Sequence, residues 1–461
     1  MGTKNTIDML NGPLARPMLM FALPLIASGV LQQSFNSVDV AVVGRFAGSD
    51  ALAAVGSNGP VIGLLINMFL GLSVGVNVVI ANYIGQRNSR GVRAAVSAAA
   101  VMAVLSGVIM LVTSQIVARP LLTALDTPAS CLDQAVEYLR IYSAGMPFMI
   151  IYNFGAAILR SVGDTRRPFY CLVASGIVNV VLNLIFVIGF GMGVAGVAWA
   201  TVFANLANAV IVVYLLAREQ GDIRLDLRSI TPDMQQMSKI IRVGFPAGLQ
   251  STVFSISNVF ILSSINSFGS AAAAGSAAAI NYEMYCYFVI NAFAQTAVAF
   301  ISQNYGAGQL DRCRRALRIS LVYSVSTSIF LNCLITFNCG LFLSPFTTDP
   351  EVLYFAAERV TTALLFQWVA CYYEMAGSAM RGLGYSMTPA IITIFGTCVL
   401  RLFWVGFFPA DGSFAALLAV YPVSWLLTDV AMMAALARIR RRLPRAAEAP
   451  EAASPTAAAN A

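Results

Sequence analysis

Apolar residues run through this chain in continuous blocks of about 20 or more, each long enough for a helix to cross a hydrocarbon core of about 30 Å. Twelve such runs are predicted, at 17–44, 57–84, 94–118, 138–159, 169–189, 194–217, 243–268, 275–303, 317–343, 354–380, 388–408 and 412–437. Barrel strands would instead alternate over segments of about ten residues, so a membrane β-barrel is excluded. The expected fold is an all-α polytopic membrane protein of twelve transmembrane helices in two six-helix lobes. The longest polar connection, Arg218 to Lys239, falls between runs six and seven. It divides the chain into an N-terminal segment 1–16, a first lobe 17–217, a linker 218–242, a second lobe 243–438 and a tail 439–461.

The two halves repeat. GQRNSRGVRAA after run two is echoed by GAGQLDRCRRAL after run eight, with Gly85 and Gly306 221 positions apart. RSVGDTRRP after run four is echoed by RGLGYSMTP after run ten, where Arg160 and Arg381, Gly163 and Gly384, and Pro168 and Pro389 keep the same spacing of 221. Pro24 and Pro246 differ by 222, which implies one single-residue insertion or deletion. Six spans per half is an even number, so both copies begin on one side of the bilayer. The repeat is therefore parallel, about an axis along the membrane normal, with sites expected between the halves or within each.

Composition agrees with the pattern: 58% of residues are hydrophobic and 11% charged. The net charge of +7 does not point to nucleic acid. With both termini inside, 23 of the 28 basic residues fall on the inner side, while Asp50, Asp126, Asp349, Glu351 and Asp411 fall outside. That asymmetry predicts cytoplasmic termini in a multi-pass plasma-membrane protein. The first run is too long for a signal peptide and no cleavage site follows it. The eight cysteines form no C-x-x-C pair and read as small buried hydrophobes. The Ala/Pro/Glu-rich end of the tail is expected to be disordered.

Candidate chemistry is confined to a few polar positions in apolar runs. Lys4 and Lys239 are the only lysines and neither sits in a phosphate-binding loop, so an ATP-driven pump is excluded. Histidine is absent, which removes catalytic triads and the commonest proton relay, so no enzyme is expected. Asp39 in the first run is costly at membrane depth and so points to function. At about 1.5 Å per helical residue, Asp39, Asn183 and Thr201 share one depth and Asn179 lies one turn below. A carboxylate among neutral oxygens suits Na⁺ or a proton; bridging of neighbouring helices is the other reading of the asparagines and threonine.

The second half differs. Its counterpart to Asp39 is Ile261, so the acid has no twin. Run eight carries Glu283, Tyr287, Asn291 and Gln295 at spacing four, run ten carries Glu374 where the first half has Asn153, and run eleven carries Arg401. A Glu283–Arg401 pair is expected from depth. The G-x-x-x-G of Gly71 to Gly75 reads as tight helix packing. Aromatics such as Tyr282, Tyr287, Trp368 and Tyr372 suit either a cavity for flat organic cations or an ordinary core.

VDVAVVGRFAGSDALAAVG, LRSVGDTRRP, GFPAGLQSTVFSISNVFILSSINSFG, FISQNYGAG and MRGLGYSMTP together resemble the multidrug and toxic compound extrusion family over about 15–440. The resemblance implies a V-shaped pair of lobes and cation-coupled export of organic, often cationic, compounds. It also implies a hinge at Pro24 and a cation site at Asp39, Asn179, Asn183 and Thr201. Two positions depart from the family: Asn183 stands where some members have Asp, and Phe254, Ser255 and Asn258 stand where another branch has Glu. The expected cavity residues are Asn153, Asn258, Glu283, Tyr287, Asn291, Gln295, Glu374 and Arg401. A cofactor is not expected beyond the coupling ion, Na⁺ or H⁺, nor a structural metal. The expected partners are small organic substrates and membrane lipid, for a protein acting as a monomer. The alternatives are a lipid-linked saccharide flippase of the same superfamily and, in another class, a passive channel or membrane receptor.

Overall fold

The computed structural model describes residues 6–46, 48–125, 127–129, 131–408 and 412–442, without the side chains of 49, 50 and 52. Lys4, Asp126, Asp411, Arg445 and the tail beyond 442 lie outside the described residues, as does the side chain of Asp50. The helices are α1 (Ala15–Phe46), α2 (Ser49–Gly85), α3 (Ser89–Ala124), α4 (Leu132–Ser161), α5 (Arg166–Gly189), α6 (Gly193–Ala217), α7 (Met234–Asn266), α8 (Ser270–Gly306), α9 (Leu310–Phe337), α10 (350–382), α11 (Met387–Gly406) and α12 (Phe414–Arg442). All but α10 are long and apolar enough to cross a membrane unbroken. α10 is made of Pro350–Thr362, a tight turn Leu364–Val369 and Ala370–Gly382. α7 begins at Met234, inside the stretch that composition assigns to the linker.

Two hydrophobic cores mark the two lobes, but the first helix of each half belongs to both. Met18, Phe21, Ala22 and Leu25 of α1 pack into the second lobe's core, with Phe21 edge-on to Phe300 at 5.7 Å. Further along α1, Val42 and Val43 pack with Tyr138, Val187 and Val197 of the first lobe. α7 does the converse: Ile240 joins the first lobe's core, and Ile261 and Ile265 join the second. The lobes are thus cross-braced at the end that carries the 218–233 connection, here called the linker face.

Glycine sets how closely they meet there, because between helices in lipid the gain comes from close packing rather than from hiding apolar surface from water. A β-carbon on Gly85 of α2 would overlap the carbonyl of Gln303 on α8, and one on Gly306 would overlap the carbonyl of Asn82. Both pairs are related by the 221-residue repeat, so the pseudo-twofold axis passes between them. Nearby, Gly71 meets the backbone of Gly248 on α7. By contrast, Gly56, Gly59 and Gly63, nearer the other end of α2, face open space. The lobes therefore touch over the linker half and part over the opposite half, which defines a V opening away from the linker face.

A strap ahead of α1 spans the closed end. The Ile7 N–H donates to the Gly163 carbonyl of the first lobe at 3.2 Å. Met9 is buried in the second lobe's core, and its carbonyl accepts from Asn304 Nδ2 at 3.0 Å and Arg312 Nη2 at 3.1 Å. Arg312 Nη1 also donates to the Gly12 carbonyl at 2.9 Å. Burial alone would raise the carboxyl of Asp8, but hydrogen bonds from Asn11 and Leu10 and the charge of Arg312 hold it below its ordinary value. It stays ionised and fastens the strap's own turn.

Candidate functional site: a buried carboxylate and a central cavity

The Asp39 layer assembles from three helices. On α1, Phe35 and Asp39 are four apart and share a face. The tip of the Phe35 ring lies where Gly176 of α5 has no side chain; a β-carbon there would overlap the ring edge. That contact sets α1 against α5, and Asn179 and Asn183, one and two turns beyond Gly176, then meet the α1 face. The Asn183 Nδ2 donates to Asp39 Oδ1 and, at 3.2 Å, to Asn179 Oδ1. Asn179 Nδ2 reaches Thr201 Oγ1 of α6 at 3.4 Å, and Thr201 donates to its own helix at the Val197 carbonyl, 3.0 Å away. The four residues inferred from depth therefore form one connected layer.

Two features distinguish this layer from an ordinary helix clasp. Among the described residues no cationic side chain pairs with Asp39. The Asn183 Oδ1 is buried without a partner. A carboxyl group without a cationic partner and an amide oxygen without a donor thus belong to one hydrogen-bonded layer, an arrangement a proton or a small cation completes. Just after Asn183 the helix widens into a π turn, Leu184–Gly189, a distortion common at functional sites. The equivalent helix of the other lobe has one too, Ile394–Val399, shortly before Arg401.

Pro24 lies within an uninterrupted α1. Proline lacks an N–H and crowds the preceding turn, which loosens the carbonyls three and four residues back. One of these, at Phe21, instead accepts the Thr165 hydroxyl from the α4–α5 connection at 3.0 Å.

The second-lobe residues divide into two groups. A central cavity of about 480 Å³ between the lobes is lined by Asn153, Tyr287, Asn291, Gln295 and Glu374, all expected there. Asn67, Asn77, Gln250, Arg160 and Arg381 join them. Asn258, Glu283 and Arg401 do not line this cavity but sit in a cluster within the second lobe, and the expected Glu283–Arg401 pair does not form. Glu283 instead takes two hydrogen bonds from Arg359, at 2.7 and 2.9 Å. Depth bookkeeping treats run ten as a straight helix; the break at Leu364–Val369 carries Arg359 alongside Glu283, and Gln367 in that turn donates to the Glu283 carbonyl at 3.0 Å. Arg401 is buried between the rings of Phe254 and Tyr421, at 5.2 and 4.7 Å, and donates to Ser424 at 3.1 Å and Asn258 at 3.2 Å. Asp429, which sequence reasoning passed over, accepts the Tyr373 N–H at 2.7 Å; an acid inside run twelve was the available signal.

Two lobes related by a parallel repeat, a cavity between them and a carboxylate layer in one are the marks of a membrane transporter. The family model MatE matches residues 24–185 and 246–405, and the chain belongs to that family of efflux transporters, as its motifs suggest. It is 29% identical over 387 residues to the probable multidrug resistance protein YoeA of Bacillus subtilis, covering 82% of this chain and 84% of that one. It is 27% identical over 401 residues to the probable multidrug resistance protein NorM of Thermotoga maritima, covering 84% of each. Its fold matches an outward-facing multidrug resistance MATE family transporter with a TM-score of 0.87 at 22% identity, over 96% of this chain and 100% of that one.

Proposed function

We propose that the protein is a plasma-membrane antiporter that exports small organic compounds in exchange for Na⁺ or H⁺ bound at Asp39. The excess of basic residues at the linker face makes that face cytoplasmic, with both termini on that side. The V then opens outward, and the central cavity holds cargo between the lobes. Supporting the coupling role is one observation: Asp39 accepts from the Asn183 amide, whose oxygen is buried without a partner, and among the described residues no cationic side chain pairs with it.

In the outward-open form a proton on Asp39 would be held against the Asn183 amide. Na⁺ would find Asp39 Oδ1, Asn183 Oδ1, Asn179 Oδ1 and Thr201 Oγ1 on three helices. Either ion ties α1 to α5 and α6. The lower half of α1 is packed in the other lobe, so tightening its upper half changes how the lobes meet and what the cavity holds. An ion that binds one arrangement more tightly than the other shifts the balance between them by that difference. Cargo and ion thus occupy the protein alternately. No catalytic step is involved, and a single chain suffices.

Purified protein in proteoliposomes, loaded with a fluorescent dye and given either a Na⁺ or a proton gradient, tests this reading. Dye movement should follow one gradient and stop when it is collapsed. Movement indifferent to both gradients would overturn it.

A further inference from the structure

Among the described residues, the charged ones lining the central cavity are Arg160, Arg381 and Glu374, two basic and one acidic. Arg160 and Arg381 are 221 positions apart and stand at the ends of α4 and α10, one from each lobe. The repeat thus brings one guanidinium from each side to a single space on the axis.

Neither is neutralised by a bond. The Arg160 side chain makes no hydrogen bond or ion pair with any described residue. Arg381 donates from Nη2 to Gln250 Oε1 at 3.0 Å, and its Nε is buried without a partner. Glu374 lies within electrostatic range of Arg381 but is not bonded to it. Guanidinium groups usually hold their place among protein atoms through several donors, and planar, forked donors match carboxylate and phosphate oxygens. Asn67, Asn77 and Asn291 line the same cavity, although the Asn67 and Asn77 amides each already donate one hydrogen bond, to Ser255 Oγ and the Ala157 carbonyl.

We propose that Arg160 and Arg381 form an anion subsite of the central cavity, which takes the carboxylate, phosphate or sulfonate of an anionic or zwitterionic cargo. This rests on the reading of the cavity as the cargo site. It narrows that reading, because a cation would meet two guanidinium groups and one acid.

Binding of carboxyfluorescein and ethidium to the protein in phosphatidylcholine nanodiscs provides the test. Wild-type protein should favour carboxyfluorescein. Arg160→Gln and Arg381→Gln should each weaken it about tenfold, the scale of one charge-assisted contact, and should strengthen ethidium. Glu374→Gln should do the reverse, and Arg160→Lys should recover part of the anion preference while controlling for folding. Equal losses for both dyes, or wild-type preference for ethidium, would overturn the subsite. Repeating the titration with phosphatidylglycerol separates the source of the anion: a matching loss of carboxyfluorescein would make a lipid headgroup the ligand and overturn the cargo assignment. Gradient-driven ethidium export without any response to the arginine variants would sink the subsite and leave the transporter reading standing.

Discussion

Glu283 and Arg359 meet through two hydrogen bonds inside the second lobe, while the nearby Arg401 is held by aromatic faces and neutral oxygens. The side chain of Arg359 is 2% exposed and that of Glu283 13%. Removing one member of such a pair leaves the other charge stranded, at a cost of about 3–5 kcal/mol, whereas replacing both by apolar residues of similar volume is often neutral. Glu283→Gln and Arg359→Met should therefore each lower the melting temperature sharply, and Glu283→Leu with Arg359→Met should regain most of the loss. Melting in detergent by intrinsic fluorescence checks this. Equal melting of all variants would mean that the pair does not hold the broken α10 in place.

The contact of Phe35 with Gly176 positions the Asp39 layer from below. Gly176→Ala pushes a methyl into the ring, and overpacking of this kind costs about 1–3 kcal/mol. Transport by Gly176→Ala should fall, and adding Phe35→Leu should restore much of it by vacating the space. If Phe35→Leu worsens Gly176→Ala, the two residues are not in the relation described.

At the linker face the strap is fastened by Arg312 and Asn304. Arg312→Ala removes donors to the carbonyls of Met9, Asn11 and Gly12, each hydrogen bond worth about 1 kcal/mol net. A reporter cysteine at Ser161, buried at this seam, should then react on the order of tenfold faster with a maleimide. An unchanged rate would show that the strap does not hold the seam shut.

The sequence pattern carried the helix count, the repeat and the Asp39 layer, because each rests on periodicity that a regular helix preserves. Asp39, Asn183 and Thr201 lie in regular helix up to the layer, so counting rise per residue located them. Glu283 and Arg401 failed the same count, since the tight turn at Leu364–Val369 brought a different arginine to Glu283. The crossing of α1 between lobes was also hidden: apolar spacing shows that Phe21 and Val42 are buried, not against which partner. Arg160 and Arg381 were visible as a repeated pair, yet at helix ends they read as positive-inside residues until the cavity between the lobes came into view.

The central claim is that Asp39 is the coupling residue, and Asp39→Asn tests it most directly. The variant keeps the shape and the hydrogen-bonding reach of the side chain but removes its charge. Its dye export from proteoliposomes, under whichever of the Na⁺ or proton gradients drives the wild type, should fall to the rate of protein-free vesicles, while insertion, melting and dye binding are retained. Export at the wild-type rate by a folded Asp39→Asn variant would contradict the account.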